Sequence, residues 1–171
     1  MNPLQPFYRQ SAYNQWMNQH LYQVCAQLSD HLRKKDMRAF FGSIHGTLNH
    51  LLLVDLLWLG RLEHQPVTFD ALDQELYSDF AALEAARAGT DQRLDDWIHG
   101  LTSTDLMQPV VFTSVVTGQT HNFYLTDVLL HIFHHQTHHR GQLTTLLSQF
   151  EQDIGVTDLI WQPGIEILEP F

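Results

Sequence analysis

The stretch "HIFHHQTHHRGQL" (residues 131–143) places five imidazoles within nine consecutive residues. They belong to His131, His134, His135, His138 and His139. Because imidazole serves as a metal ligand, as an acid or base and as a group that titrates near neutral pH, this cluster indicates a functional site. The same stretch decides the fold, since its apolar residues recur at the spacing of an amphipathic helix.

A helical projection separates these histidines. Each residue of an α-helix turns by about 100°, so with His135 set at zero His139 lies at about 40°, inside the apolar stripe. By the same count, His131 and His138 fall at about −40° and −60°, at the edge of the stripe, and His134 at about −100° turns outward. A histidine pair at i and i+4 is separated by about 6 Å of axial rise, which lets two ring nitrogens bind one cation.

A third inward histidine is needed, because two protein ligands seldom hold a metal. His50 meets this need, since the residues that follow it at i+3, i+4 and i+7 are apolar and place it on the stripe of its own helix. His45 faces about 140° away and is a poor candidate. The spacing therefore predicts a metal site of His50, His135 and His139, with hydrogen-bonded core histidines as the alternative.

The apolar spacing predicts four long helices. They run from about Gln10 to His31, from Asp36 as N-cap through Glu63, from about Phe69 to Ile98, and from Thr126 as N-cap to Phe150. The glycines Gly42 and Gly46 are expected inside the second helix, which Pro66 limits at its end.

Between the third and fourth helices, "PVVFTSVVTGQTHNFYL" (residues 109–125) changes period and predicts a two-stranded hairpin around Thr117-Gly118. The predicted fold class is all-α: an antiparallel, up-down-up-down four-helix bundle with a small β-hairpin before the fourth helix. The tail, residues 153–171, is expected to be ordered and to lay its apolar residues on the body.

Composition limits the classes of function. A chain of 171 residues suits one domain, residues 1–171. The net charge of −10 makes nucleic acid an unexpected partner. Cys25 is the only cysteine, so an intrachain disulfide is impossible, and the N-terminus lacks the pattern of a secretory signal. The longest apolar segment, residues 51–59, is too short to cross a bilayer. We therefore expect a cytoplasmic protein without a membrane partner.

Several motifs resemble the DinB/YfiT-like superfamily. They are "AYNQWMN" (residues 12–18), "LNHLLLVDLLWLGRL" (48–62), "HIFHHQTHHRGQLTTLLSQ" (131–149) and "TDLI" (157–160). The resemblance implies an up-down four-helix bundle with a divalent metal held by three histidines, carried over here onto His50, His135 and His139. One departure is His134, where close relatives usually show Asn.

A neutral site of three nitrogens suits zinc, nickel or iron and leaves positions open, as in a catalytic centre. Characterised relatives include transferases that use low-molecular-weight thiols such as bacillithiol or mycothiol. The leading hypothesis is therefore a metal-dependent S-transferase that joins such a thiol to an electrophilic small molecule during stress. His138 and His131 are the candidate catalytic residues, for hydrogen bonds to the ligands or for proton transfer.

Two alternatives remain at this stage. A metal-dependent hydrolase would use the same ligands to activate water, and a non-enzymatic metal-binding stress protein would use the metal to stabilise its fold. An open position beside an apolar cleft favours an enzyme, whereas a fourth protein ligand favours a structural site.

Because members of the superfamily are commonly dimeric, a homodimer is expected. Arg140, at about 140° in the projection, is expected to make an ion pair or a helix-to-helix contact.

Overall fold

The computed structural model describes residues 2–65, 67–114 and 117–165, which are mostly helical. Within these ranges the α-helices are α1 (Gln5–Ala26), α2 (Asp30–Lys34), α3 (Ile44–Leu62), α4 (Phe80–His99) and α5 (Leu125–Ser148), and the strands are β1 (Pro109–Thr113) and β2 (Thr120–Tyr124). Pro66 and residues 166–171 lie outside the described part of the chain, as do the expectations placed on them.

The second long helix begins later than predicted. Its N-cap is Ser43, whose hydroxyl accepts a hydrogen bond from the backbone N–H of Gly46 at 3.0 Å, so the prediction of Asp36 as the cap is wrong. Gly42 lies before α3 in a turn, where its φ of +72° suits a residue without a side chain. Gly46 lies in the first turn of α3, where a Cβ atom would collide with the carbonyl oxygen of Phe41.

The segment between α3 and α4, residues 63–79, is a connection, although its second half was predicted as helix. The side-chain oxygen of Asn49 accepts hydrogen bonds from the backbone N–H groups of Leu76 and Tyr77, at 2.8 and 2.9 Å. These bonds hold the segment against α3 in a non-helical conformation. Leu72 and Leu76 still pack on the core, which explains why their spacing resembled that of a helix.

The connection reverses the expected direction of α4. Arg87 forms an ion pair with Asp55, and Arg93 forms one with Glu63, so residue numbers rise together along α3 and α4. The two helices are therefore parallel, and the up-down-up-down prediction is wrong. The physical reason is the length of the connection: residues 67–79 run back along α3 before α4 begins, whereas a short turn would have made the two helices antiparallel.

The remaining long helices are placed by contacts of the same kind. Helix α1 lies antiparallel to α4, and α3 lies antiparallel to α5. The pairs that give these directions are Ser11 with Asp95, Tyr22 with Phe80, His50 with His139, and Trp58 with His131. In chain order the four long helices thus run up, down, down and up.

A buried set of polar side chains, which we call the core network, joins the four long helices. It consists of Asn14, Asn18, Asp55, Arg87, Asp91, Gln136 and Arg140. Arg87 lies 2.8 Å from a carboxylate oxygen of both Asp55 and Asp91. On α5, Gln136 donates to Asp55 at 2.6 Å and Arg140 donates to Asn14. The expected helix-to-helix contact of Arg140 is confirmed, and these contacts fix the rotation of α5 about its axis.

The predicted hairpin is confirmed. Strands β1 and β2 are antiparallel, with the first residue of β1 paired with the last residue of β2. Phe112 of β1 packs edge-on against Trp58 of α3, with ring centroids 4.9 Å apart, so the hairpin covers part of the helical core. The N-cap of helix α5 is Tyr124, two residues before the predicted cap Thr126. The hydroxyl of Thr126 instead donates to the carbonyl oxygen of Leu106 at 2.9 Å.

The tail packs only in part. Ile154 is buried, but Val156, Ile160 and Trp161 are 55%, 63% and 61% exposed, so the prediction that the apolar tail residues lie on the body is wrong for these three. The tail is attached by the hydroxyl of Tyr13, which donates to the carbonyl oxygen of Thr157 at 2.6 Å. Among the described helices, none combines the length and apolar character needed to cross a membrane.

Candidate metal centre

Two helices bring three imidazoles together. Helix α3 supplies His50, and α5 supplies His135 and His139 one turn apart. The Nε2 atom of His135 lies 3.2 Å from Nε2 of His50 and 3.1 Å from Nε2 of His139. His50 and His139 are buried, while His135 is half-buried. The structure thus unites the three residues that the helical spacing selected.

The hydrogen bonds of the outer ring nitrogens fix where the protons are. The backbone carbonyl oxygen of Leu72 accepts from Nδ1 of His50 at 2.7 Å, and the side-chain oxygen of Gln142 accepts from Nδ1 of His139 at 2.8 Å. Because a carbonyl oxygen only accepts, both rings carry their proton on Nδ1 and a lone pair on Nε2. His135 lies between these two lone pairs and can donate to only one of them.

A cation satisfies this arrangement better than hydrogen bonds do. Nitrogen ligands at about 2.1 Å from one metal ion lie roughly 3.0 to 3.4 Å from each other when they occupy adjacent positions. The observed separations of 3.1 and 3.2 Å fall in that range. In the described part of the chain, no fourth His, Cys, Asp or Glu joins the cluster. The three residues therefore fit a divalent metal and leave positions open for other ligands.

Burial keeps the three imidazoles neutral. It lowers the pKa of His50 and of His139, and it lowers the pKa of His135 to about 3, with a further contribution from the neighbouring histidines. Since a protonated ring has no lone pair for a metal, neutral rings at pH 7 are ready to bind one without first losing a proton.

Two residues that the sequence reasoning passed over support the cluster. Gln142 orients His139, and its position three residues further along the same helix was a readable signal. Phe41 stacks on the ring of His50, with centroids 3.8 Å apart, and meets His139 edge-on at 5.4 Å. It lies in the turn before α3, where helical spacing gives no indication of what a side chain contacts.

A cleft of about 400 Å³ opens from the cluster. His50 and His135 lie in its wall together with apolar residues of α3 and with Phe112 of β1. Trp58, which as an aromatic residue on an amphipathic helix was expected to be core, is buried and also forms part of this wall. The hairpin thus closes one side of a space that leads to the imidazole nitrogens.

The sequence profile of the DinB family matches residues 4–165, a span that contains the histidine cluster and the cleft. The chain belongs to the DinB family. Protein DinB of Bacillus subtilis (strain 168) is 24% identical over 151 residues, in a match that covers 80% of this chain and 81% of that protein. The resemblance drawn from the sequence motifs is thereby confirmed.

In this DinB-family chain the other histidines considered in the sequence analysis lie outside the cluster. His131 lines the cleft, 6.0 Å from His135 between ring centroids, and partial burial together with the nearby Arg61 lowers its pKa. His138 is not in the wall of the cleft; it meets His139 edge-on, and its Nε2 atom lies 3.2 Å from the amide nitrogen of Gln142.

His134 and His45 take no part in the cluster. His134 is exposed and lines a separate depression beside Tyr13 and Leu159. His45 is buried, and its Nε2 atom lies 2.8 Å from the carbonyl oxygen of Tyr77. The projection had excluded both residues as ligands, and their positions agree with it. The catalytic roles predicted for His131 and His138 stay predictions.

Proposed function

We propose that this DinB-family protein binds a divalent metal through His50, His135 and His139 and transfers a low-molecular-weight thiol to an electrophilic small molecule. The observation that carries the proposal is that three imidazole nitrogens converge and that two of these rings, His50 and His135, lie in the wall of a largely apolar cleft. Zinc, nickel and iron are the candidate metals, because each accepts neutral nitrogen ligands.

A divalent cation held by three neutral imidazoles lowers the pKa of a thiol or water that it binds. The residues of the chain supply the rest. Trp58 and Phe112 offer apolar surface for the electrophile and exclude water from it. In the proposed reaction the thiol sulfur bonds to an electrophilic carbon, the leaving group departs with the bonding electrons, and the thiol proton passes to a base.

His131 is the proposed base. It lies in the wall of the same cleft, and its lowered pKa leaves the ring neutral and able to accept a proton at pH 7. For His138 we propose an indirect part: it contacts Gln142, which orients the ligand His139.

The same site bears on the two alternative functions, a hydrolase and a structural metal-binding protein. A hydrolase would use the same residues, and only its independence from thiol would distinguish it. A purely structural metal site is disfavoured because the described residues offer no fourth ligand and because the cluster faces a cleft.

The domain organisation, the oligomeric state and the cellular location are also proposals. We propose that the four long helices form one bundle domain over residues 1–171, supported by the core network that joins them. We propose further that the protein is a cytoplasmic homodimer that acts in a stress response and does not bind nucleic acid or membranes. The exposed side chains of Ile160 and Trp161 support self-association, and the net charge of −10 argues against nucleic acid.

The test is a transfer assay on protein purified without a histidine tag and loaded in turn with zinc, nickel and ferrous iron. Bacillithiol, mycothiol or cysteine is mixed with monochlorobimane, which becomes fluorescent when chloride leaves and a thioether forms. We expect metal-dependent turnover that His135→Ala abolishes and that His131→Gln slows by about a hundredfold. His134→Gln, which lies outside the cluster, is the matched control and should retain full activity.

Two outcomes would contradict the transferase proposal. Absence of turnover with every thiol and metal would remove it. Consumption of ester or amide substrates by the metal-loaded protein without any thiol would replace it with the hydrolase.

A further inference from the structure

Arg61 lies in the wall of the cleft and is half-buried. The central carbon of its guanidinium lies 4.5 Å from the ring centroid of Trp58 and 4.2 Å from that of Phe112. Cation–π contacts with these two rings hold the guanidinium in place, and they use none of its hydrogen bonds. The side chain is thus positioned without using its hydrogen-bond donors.

No carboxylate pairs with this arginine within residues 2–65, 67–114 and 117–165, and no hydrogen bond from its side chain occurs there. Other arginines of the chain are engaged: Arg87 pairs with two aspartates, Arg140 donates to Asn14, and Arg93 pairs with Glu63. Burial lowers the pKa of Arg61, as expected for a cation partly removed from water without a counter-ion. An anion entering the cleft would provide that counter-ion.

The charge of the cleft points the same way. Its described wall contains no acidic side chain, and Arg61 is the one lysine or arginine in that wall. Asp127 lies in an adjoining recess beside Val128. In a chain with a net charge of −10, the cleft is therefore a local site of positive charge bordered by apolar surface.

We propose that Arg61 binds the carboxylate of a substrate whose apolar part lies against Trp58 and Phe112. A planar guanidinium presents paired N–H donors that match the two oxygens of a carboxylate, so Arg61 would be a specificity-determining residue that orients the substrate toward His135. The inference names the substrate class of the cleft and rests on the proposed function for the identity of the reaction, but the binding step itself needs no metal.

The carboxylate has two possible sources, since either the thiol or the electrophile can carry it. Both present the same chemistry to Arg61. They differ in which of the two substrates loses affinity when the guanidinium is removed, and kinetic measurements separate them.

The binding test uses the full chain after removal of metal with a chelator, so that a carboxylate has no metal to bind. Naphthoate and its neutral analogue naphthamide are titrated by calorimetry and by tryptophan fluorescence. We expect naphthoate to bind at least about tenfold more tightly than naphthamide. Arg61→Gln should reduce this ratio to about one while leaving naphthamide affinity unchanged, and Arg61→Lys should keep part of the preference.

Arg93→Gln is the matched control, because it removes the same charge from an exposed pair outside the cleft and should leave the ratio unchanged. Three results would overturn the inference. They are an unchanged ratio in Arg61→Gln, an equal loss of affinity for both ligands as expected if Arg61 only holds the hairpin to α3, and no binding of naphthoate at millimolar concentration.

The outcome is separable from that of the proposed function. A charge preference that depends on Arg61 in a protein that never binds metal would support the carboxylate site and remove the transferase. If turnover is found, Arg61→Gln should raise KM about tenfold or more for the substrate that carries the carboxylate, with kcat little changed. An unchanged KM for both substrates would contradict the inference while leaving the transferase in place.

Discussion

Helix α5 carries two sets of polar side chains that lie next to each other in sequence and behave differently. Gln136 and Arg140 belong to the core network, in which two arginines and two aspartates balance in charge inside the core. His135 and His139 each precede one of these residues in sequence and face α3. There the Nε2 atom of His135 lies between the Nε2 lone pairs of His50 and His139. The charges of the first set are paired within the protein, whereas the second set has more nitrogen lone pairs than protons to donate to them.

The comparison teaches how to separate structure from function among buried polar groups. A network whose charges are paired within the chain stabilises one arrangement of the helices. A cluster in which one imidazole lies between two nitrogen lone pairs and can donate to only one of them leaves the other without a donor, and a cation from outside the chain would satisfy it. The first set therefore fixes the rotation of α5, and that rotation points the second set toward His50 of α3.

The largest effect should come from breaking the core network. Arg87→Met leaves the carboxylates of Asp55 and Asp91 buried without their cation, so the free energy of unfolding should fall by about 3–5 kcal/mol. Urea unfolding followed by circular dichroism measures this change. Arg93→Gln, which removes an exposed ion pair, should change stability by less than about 1 kcal/mol. Equal effects of the two substitutions would contradict the distinction between paired core charges and surface charges.

Removing the metal should have the next largest effect. A ligand present at 100 times its Kd stabilises the folded state by about 2.7 kcal/mol, which for a chain of this size corresponds to roughly 5–10 °C in Tm. Differential scanning calorimetry with and without a chelator measures the shift. His139→Ala should show no shift, because it lacks one of the three nitrogens. A chelator shift of the same size in this variant would place the stabilising metal elsewhere.

The contact between Gln142 and His139 should matter less than the ligand itself. Gln142→Ala removes the oxygen that accepts from Nδ1 of His139, so metal affinity should fall about ten- to a hundredfold, or about 1.4–2.7 kcal/mol. Gln142→Glu keeps an acceptor at this position and should retain most of the affinity. Competition with a metal-sensitive dye measures both variants, and equal affinities in the two would contradict an orienting hydrogen bond.

The smallest effect concerns pH. Burial, and then the neighbouring histidines, lower the pKa of His135 to about 3, below its value of about 6.5 in the unfolded chain. The unfolded chain therefore binds the proton first, so this contribution to stability is complete above about pH 6.5 and is lost as the pH falls toward 3. Its slope is at most about 1.4 kcal/mol per pH unit, and solvent screening of the half-buried ring reduces it.

Chelator-treated protein should thus lose more stability between pH 7 and pH 5 than the His135→Gln variant does. Unfolding by urea at each pH measures the difference. Parallel losses in the two proteins would show that His135 is protonated as easily in the folded state as in the unfolded chain.

The helical projection was informative because it needed only the rotation per residue. It separated His135 and His139 from His134, and it selected His50 over His45, as the structure bears out. It could not indicate that the carbonyl oxygen of Leu72 and the ring of Phe41 contact His50. These lie in connections, where the backbone path depends on contacts distant in sequence.

The predicted direction of α4 was wrong for a related reason. The apolar spacing of Leu72 and Leu76 imitates a helix, but the side chain of Asn49 binds the backbone of this segment and holds it along α3. With residues 63–79 read as largely helical, the connection looked short and the two helices looked antiparallel. Contacts from α3 side chains thus hold a long connection along that helix, and periodicity contains no information about such contacts.

The core network was equally hidden. Asp55 stands within the apolar run of residues 51–59, and the spacing of that run gives no indication of its partner. Its partner Arg87 lies 32 positions away along the chain, on a helix whose direction had been predicted wrongly. Buried charge pairs of this kind become visible only when the relative directions of the helices are known.

The most direct test of the account is elemental analysis of metal bound to protein purified without a histidine tag, for the wild type and for His50→Ala, His135→Ala and His139→Ala. His134→Ala, on the same helix but outside the cluster, is the control. The account predicts about one zinc, nickel or iron per chain in the wild type and the control, and loss of metal in each of the three variants. A wild-type protein that stays free of metal when all three ions are supplied would contradict it.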